Sequence, residues 1–70
     1  MIRDELLPLE KELYDAWVAY YEMPSGLSDE EAGAISALCY KMYERAYTEL
    51  GGQWTQHIIK TARQDTGFDL

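Results

Sequence analysis

Hydrophobic and polar positions follow the period of an α-helix over most of the chain, most clearly between residues 28 and 50. Ser28 and Glu31 have the spacing of a capping box, which marks a helix start. Gly51-Gly52 supplies residues at which a helix readily ends. At about 100° per residue, one face of this stretch is apolar: Ile35, Leu38, Cys39, Met42, Ala46 and Leu50. The pattern predicts one long helix from about residue 28 to residue 50.

Shorter helical segments flank this long helix on both sides. Between residues 6 and 22 the apolar positions cover an arc wider than the ~100° that one packing partner needs, which indicates two packing neighbours. In the segment 53–64 the predicted buried face is Trp54, Ile58, Thr61 and Ala62, flanked by Ile59. Pro24 and Gly26 favour a turn between the first two helices, whereas the glycine pair after residue 50 allows either a reversal or a kink.

The connection after the first helix is short, so we expect the first two helices to lie antiparallel. The sequence therefore predicts an all-α fold, a helical hairpin plus a third helix in a small three-helix bundle. One helical domain would span residues 1–70, with helices at approximately 6–22, 28–50 and 53–64 and a short tail at 65–70. Phe68 and Leu70 of the tail are candidates for docking on the bundle.

The small size of the chain suggests that it associates with another chain. A domain of 70 residues buries only about 60% of the surface that its unfolded chain exposes. Cys39 is the only cysteine and His57 the only histidine, so neither an internal disulfide nor a zinc cluster can reinforce the fold. The chain is nevertheless 47% hydrophobic, with six tyrosines and two tryptophans. We therefore expect a homodimer or a subunit of a larger complex.

The negative charge is concentrated in the first part of the chain. Net charge is −7, and residues 1–31 hold nine acids and two cations, so the remainder is neutral. Such a field favours basic partners and disfavours nucleic acid and acidic membranes. The first residues are acidic where a signal peptide would be basic, and the longest apolar run, residues 16–21, is far shorter than the ~20 residues of a membrane span. We expect a soluble cytoplasmic protein.

Residues able to carry chemistry are few. Cys39 lies at the centre of an apolar face without a cation one turn away, so we expect a buried, unreactive thiol. His57 has no second histidine or carboxylate three or four residues away, as a metal site would require. The glycine pair lacks the pattern of a phosphate-binding loop. The sequence therefore predicts no enzyme, no cofactor and no metal.

Tyrosines at helical spacing are the candidate partner-binding residues. Tyr40, Tyr43 and Tyr47 lie along one edge of the long helix, and Tyr20 and Tyr21 are available from the first helix. Tyrosine is enriched at interface centres, although ordinary packing with the hydroxyls reaching solvent would explain the same spacing. Glu12 and Asp15 are the candidate acidic rim for such a surface, which would select a basic partner.

The leading hypothesis from the sequence is a small acidic protein-binding module: an adaptor, a regulator or a stoichiometric inhibitor. A sharper form is an inhibitor that occupies a basic nucleic-acid-binding groove by presenting carboxylates in place of phosphates. One alternative is a structural homo-oligomer or complex subunit. A second is a helix-turn-helix DNA-binding regulator, which would expose Gln56, Lys60 and Arg63 together, although these two cations are few for phosphate neutralisation.

Overall fold

Three α-helices make up most of the computed structural model, which describes residues 2–67. They are α1 (Pro8–Tyr21), α2 (Asp29–Leu50) and α3 (Gly52–Asp65), and a 3₁₀ turn at Ile2–Glu5 precedes them. The described residues contain no strand, so the all-α, three-helix prediction is confirmed, while oligomerisation stays a prediction. The predicted docking of Phe68 and Leu70 falls outside the described residues.

The ends of the helices follow from local chemistry. Pro8 opens α1, where its missing N–H is no loss. Ser28 caps α2: its Oγ accepts a hydrogen bond from the Glu31 backbone N–H at 3.2 Å, and its own N–H donates to the Glu31 carboxylate at 3.5 Å. Gly51 ends α2 with φ of 87°, a backbone conformation that side chains with a Cβ rarely adopt. The capping box predicted from the sequence is therefore present.

The first helix packs against both of the others. Toward α2, the carbonyl oxygen of Ala16 accepts a hydrogen bond from Cys39 Sγ at 3.2 Å. Toward α3, the Tyr14 hydroxyl donates to Asp65 Oδ2 at 2.6 Å. The wide apolar arc of α1 thus has two neighbours within the chain. Among residues 2–67, ten buried side chains form the core between the helices: Leu6, Leu13, Tyr14, Ala16, Cys39, Met42, Ala46, Ile58, Ile59 and Ala62.

The glycine pair reverses the chain. Gln56 Nε2 donates to the Tyr43 hydroxyl at 2.9 Å, although the two residues are thirteen positions apart. In a continuous rod they would be separated by roughly 20 Å, at 1.5 Å per residue. Of the two possibilities that the sequence left open at Gly51-Gly52, the structure therefore has the reversal.

Two details of the predicted core are wrong. Leu38 was expected to be buried but is 48% exposed, because α1 and α3 cover the arc centred on Cys39 and Ala46 and leave the Leu38 edge open. In α3, Thr55 and Ile59 are buried while Trp54 is exposed. Each helix of a three-helix bundle contacts two neighbours. The centre of its apolar stripe therefore does not show which edge of the stripe those neighbours cover.

Glu10 is a buried carboxylate that the helical periodicity does not predict. It is only 8% exposed. One of its oxygens accepts the Leu7 backbone N–H at 2.8 Å at the start of α1, and the other accepts the indole N–H of Trp54 on α3. Glu10 thereby joins the beginning of α1 to α3. Among residues 2–67, no helix has the combined length and apolar character needed to cross a membrane.

Candidate protein-binding site

An aromatic cluster occupies the second half of α1. The rings of Trp17, Tyr20 and Tyr21 lie with centroids 5.6–5.9 Å apart in every pairing. The spacing of three and four residues places these side chains on one side of the helix, and the edge-to-face contacts of Tyr20 with its two neighbours are a favourable arrangement for aromatic rings. The cluster is a fixed aromatic surface at the end of α1 that leads into α2.

A small pocket lies between this cluster and α2. It has a volume of about 120 Å³ and is lined by Trp17, Tyr20, Ser36, Cys39 and Tyr40. Tyr40 is 73% exposed and Tyr20 38% exposed. We call this the Tyr20–Tyr40 pocket. A side chain that enters it can contact three aromatic rings at once.

The cysteine of the pocket is buried as predicted. Cys39 is nearly inaccessible to solvent, and its thiol donates to the Ala16 carbonyl across the α1–α2 contact. Burial raises the pKa of the Cys39 thiol, so the thiolate, which is the reactive form, is scarce at neutral pH. Cys39 is suited to a packing role at the pocket wall.

The predicted tyrosine edge divides into two parts. Tyr43 is half-buried and accepts the hydrogen bond from Gln56 of α3. Tyr47 is exposed, but its ring lies over Gly52, where an added Cβ would come within 2.9 Å of it. The two rings lie 5.9 Å apart. Tyr43 and Tyr47 thus contact the α2–α3 turn, whereas Tyr40 borders the pocket.

A second, larger groove begins on the other side of Trp17. It measures about 530 Å³ and lies where all three helices contribute side chains: Trp17, Tyr21, Tyr43, Gln56, Ile59, Lys60 and Arg63. Gln56, Lys60 and Arg63 are all exposed, which is the condition that the helix-turn-helix alternative set. Their groove is concave, however, and Gln56 is already bonded to Tyr43.

The two acids predicted as a rim do not lie beside the tyrosines. Asp15 binds Arg3 through two hydrogen bonds of 2.8 and 2.9 Å, which lower the pKa of the Asp15 carboxyl. Glu12 lies 3.7 Å from Arg45 of α2. Arg45 follows Tyr40 by five residues, or about 140° around the helix at 100° per residue. The structure therefore brings Tyr20 and Tyr40 to one pocket, with Tyr21 in ring contact with Tyr20, but places Glu12 and Asp15 on other faces.

Four other acids lie in the chain between the pocket residues of α1 and those of α2. Glu22, Asp29, Glu30 and Glu31 are all exposed, and none forms an ion pair within residues 2–67. Between Lys11 and Lys41 the sequence has no Lys, Arg or His, and all five residues of the Tyr20–Tyr40 pocket fall in that interval. The pocket is therefore built from the part of the chain in which every charged residue is acidic.

Trp17, Ser36 and Cys39 are the pocket residues that were not predicted to bind a partner. Trp17 lies three and four residues before Tyr20 and Tyr21, and this spacing is the signal that could have identified it. Ser36 lies four residues before Tyr40 and so continues the tyrosine edge. The meeting of these residues depends on how α1 packs on α2, which periodicity alone does not fix.

The described residues contain no group of three or more histidine, cysteine or acidic side chains able to hold a metal ion. His57 is exposed and stacks on Trp54, with ring centroids 5.0 Å apart and planes inclined by 19°. Comparison with known protein families, with curated proteins and with solved structures gives no match.

Proposed function

We propose that the protein is a small protein-binding module that acts through the Tyr20–Tyr40 pocket. The observation that carries the proposal is the position of Tyr40: it is 73% exposed, yet it borders a concave aromatic site. Hot-spot residues of protein interfaces are enriched in tyrosine and tryptophan and cluster around pockets that exclude water when the partner binds. A rigid aromatic ring also provides contact area at a small cost in conformational entropy.

The partner is a protein with a basic surface. The net charge of −7 steers basic partners toward the molecule and repels polyanions. In the stoichiometric-inhibitor form of the hypothesis, carboxylates replace phosphates in a basic groove. The acids that would do so are Glu22, Asp29, Glu30 and Glu31. Glu12 and Asp15 contribute less to it, since each is already paired with an arginine of this chain.

Photo-crosslinking tests the proposal. A photoreactive phenylalanine derivative at position 40 is expected to form a discrete adduct with another protein in a lysate of the source organism. The matched control is the same group at position 38, because Leu38 is also exposed on α2 but points about 160° away at 100° per residue. An adduct of twice the monomer mass would favour the structural homo-oligomer. Equal labelling from both positions, or none from position 40, would contradict the proposal.

DNA binding is the second candidate, because Gln56, Lys60 and Arg63 are exposed along one groove. Two cations neutralise few phosphates, and the acidic remainder of the molecule repels the duplex. Gel-shift titration of generic duplex DNA at low and high salt tests it. Salt-sensitive binding that is lost in Lys60→Ala would support this alternative over the protein-binding module.

A further inference from the structure

The Tyr20–Tyr40 pocket has the size and lining of a receptor for one apolar side chain. Its volume of about 120 Å³ is close to the roughly 150 Å³ of an apolar cavity that accommodates benzene. Three of the five lining residues, Trp17, Tyr20 and Tyr40, are aromatic, and the Cys39 thiol is engaged with a backbone carbonyl. A branched aliphatic side chain fits this space, whereas a charged head group would lose its hydration with no opposite charge in the lining to replace it.

The charges next to the pocket define what should flank that side chain. Ser36 follows Asp29 by seven residues, about 10 Å along α2 at 1.5 Å per residue, so the two lie on one side of that helix, and Glu22 lies at the α1–α2 connection, two residues after Tyr20. These separations are comparable to the Debye length of about 8 Å at physiological ionic strength. Glu22 and Asp29 are exposed and in no ion pair among the described residues. A cation on the ligand can therefore approach them without displacing an existing partner.

On the other side of Trp17 the nearby charges are positive. The groove there carries Lys60 and Arg63. A basic residue of the ligand is therefore favoured toward the α1–α2 connection and disfavoured across Trp17. This asymmetry gives the bound segment a direction.

We propose that the Tyr20–Tyr40 pocket anchors a peptide segment of the partner through one Leu, Ile or Met side chain, with a Lys or Arg beside it on the side of Asp29 and of the α1–α2 connection that carries Glu22. The inference rests on the proposed function, because it specifies the partner's contact residues. An aliphatic anchor supplies affinity by leaving water, and the neighbouring cation supplies selectivity and a faster encounter.

Selection from a library of random peptides displayed on phage, with the full chain as bait, tests the inference. Enriched peptides are expected to share an aliphatic residue next to Lys or Arg. A synthetic peptide from the enriched set is then titrated against variants of the protein. Ser36→Trp, which fills the pocket, is expected to weaken binding at least about tenfold, as for loss of a hot-spot contact. Tyr40→Ala should do the same, and its exposed position makes it harmless to folding.

Charge is tested with a matched pair of double variants. Glu22→Gln/Asp29→Asn should weaken binding of that peptide by about fivefold, whereas Asp4→Asn/Glu5→Gln removes the same charge from the 3₁₀ turn and should have little effect. Equal effects of the two double variants, or acidic consensus peptides, would overturn the inference and leave the protein-binding function standing. Affinity unchanged in both Ser36→Trp and Tyr40→Ala would count against the inference and against the proposed role of the pocket. Failure to enrich any peptide would count against both.

Discussion

The Trp54 indole donates its N–H to the buried carboxylate of Glu10, and this contact joins the first turn of α1 to the first turn of α3. Because the second Glu10 oxygen accepts the Leu7 backbone N–H, the carboxylate is satisfied on both sides. A buried charge is tolerated only with such partners. The contact holds the first turn of α3 against the first turn of α1, whereas the Tyr20–Tyr40 pocket lies at the other end of α1.

Glu10→Gln is expected to lower the free energy of unfolding by about 1–3 kcal/mol, as for a buried group that loses a charged hydrogen bond. The glutamine amide must turn its NH₂ toward either the Leu7 or the Trp54 donor. Urea denaturation measures the loss. In a Trp54→Phe background the indole donor is absent, so the glutamine NH₂ can face its former position. Glu10→Gln should then lower the free energy of unfolding by less. Glu12→Gln, an exposed change on the same helix, is the control and should cost less than about 0.5 kcal/mol.

Tyr14 should make stability depend on pH in the alkaline range. Burial, with the hydrogen bond to Asp65, raises the pKa of Tyr14 from 10 to about 12. A raised pKa gives stability that is fully present below pH 10 and is lost as the pH rises to 12, because the unfolded chain ionises first. Two pKa units correspond to at most about 3 kcal/mol of unfolding free energy. Denaturation curves of the protein and of Tyr14→Phe should therefore converge between pH 10 and 12, and a constant difference would refute the assignment.

The backbone at Gly51 and Gly33 should respond oppositely to alanine. A Cβ at either position would have nothing within 4 Å, but only Gly51 has a positive φ, of 87°. Gly33→Ala, in the second turn of α2, should stabilise the protein by about 0.5–1 kcal/mol. Gly51→Ala should destabilise the protein by about 1 kcal/mol or more, because alanine is strained there. Thermal unfolding of the two variants compares the effects directly, and a stable Gly51→Ala would mean that the turn adopts another conformation.

The Arg3–Asp15 pair should hold the 3₁₀ turn without contributing much to global stability. Both side chains are about half exposed, and exposed ion pairs are worth less than about 1 kcal/mol. Asp15→Asn is expected to speed hydrogen exchange at the Leu6 amide, which donates to the Arg3 carbonyl, while core amides such as that of Ile58 keep their rates. If core amides also exchange faster, the pair has a wider structural role.

The features set by local chemistry were predictable from the sequence. The Ser28–Glu31 capping box and the end of α2 at Gly51 depend on residues close in the chain. Features that depend on helix packing were not predictable. Glu10 lies seven residues before Trp17 on the same side of α1, but its burial depends on contact with Trp54 of α3. The exposure of Leu38 has the same origin.

The candidate site shows the same division. Periodicity identified the tyrosines as a group, but it could not separate Tyr40, beside the pocket, from Tyr43 and Tyr47, which contact the α2–α3 turn. It also assigned Glu12 and Asp15 to the binding face, because it could not show that Arg45 and Arg3 pair with them. Side-chain pairing between elements is decided by the angle and register of packing.

Measuring both binding and stability in one variant, Tyr40→Ala, tests the role of the Tyr20–Tyr40 pocket. The affinity for a peptide selected on the full chain and the melting temperature are measured together. We predict at least a tenfold loss of affinity with a melting temperature within about 2 °C of the original, since an exposed side chain away from capping and packing contacts contributes little to stability. An unchanged affinity together with a clearly lower melting temperature would mean that Tyr40 serves the fold, and would contradict the proposed role of the pocket.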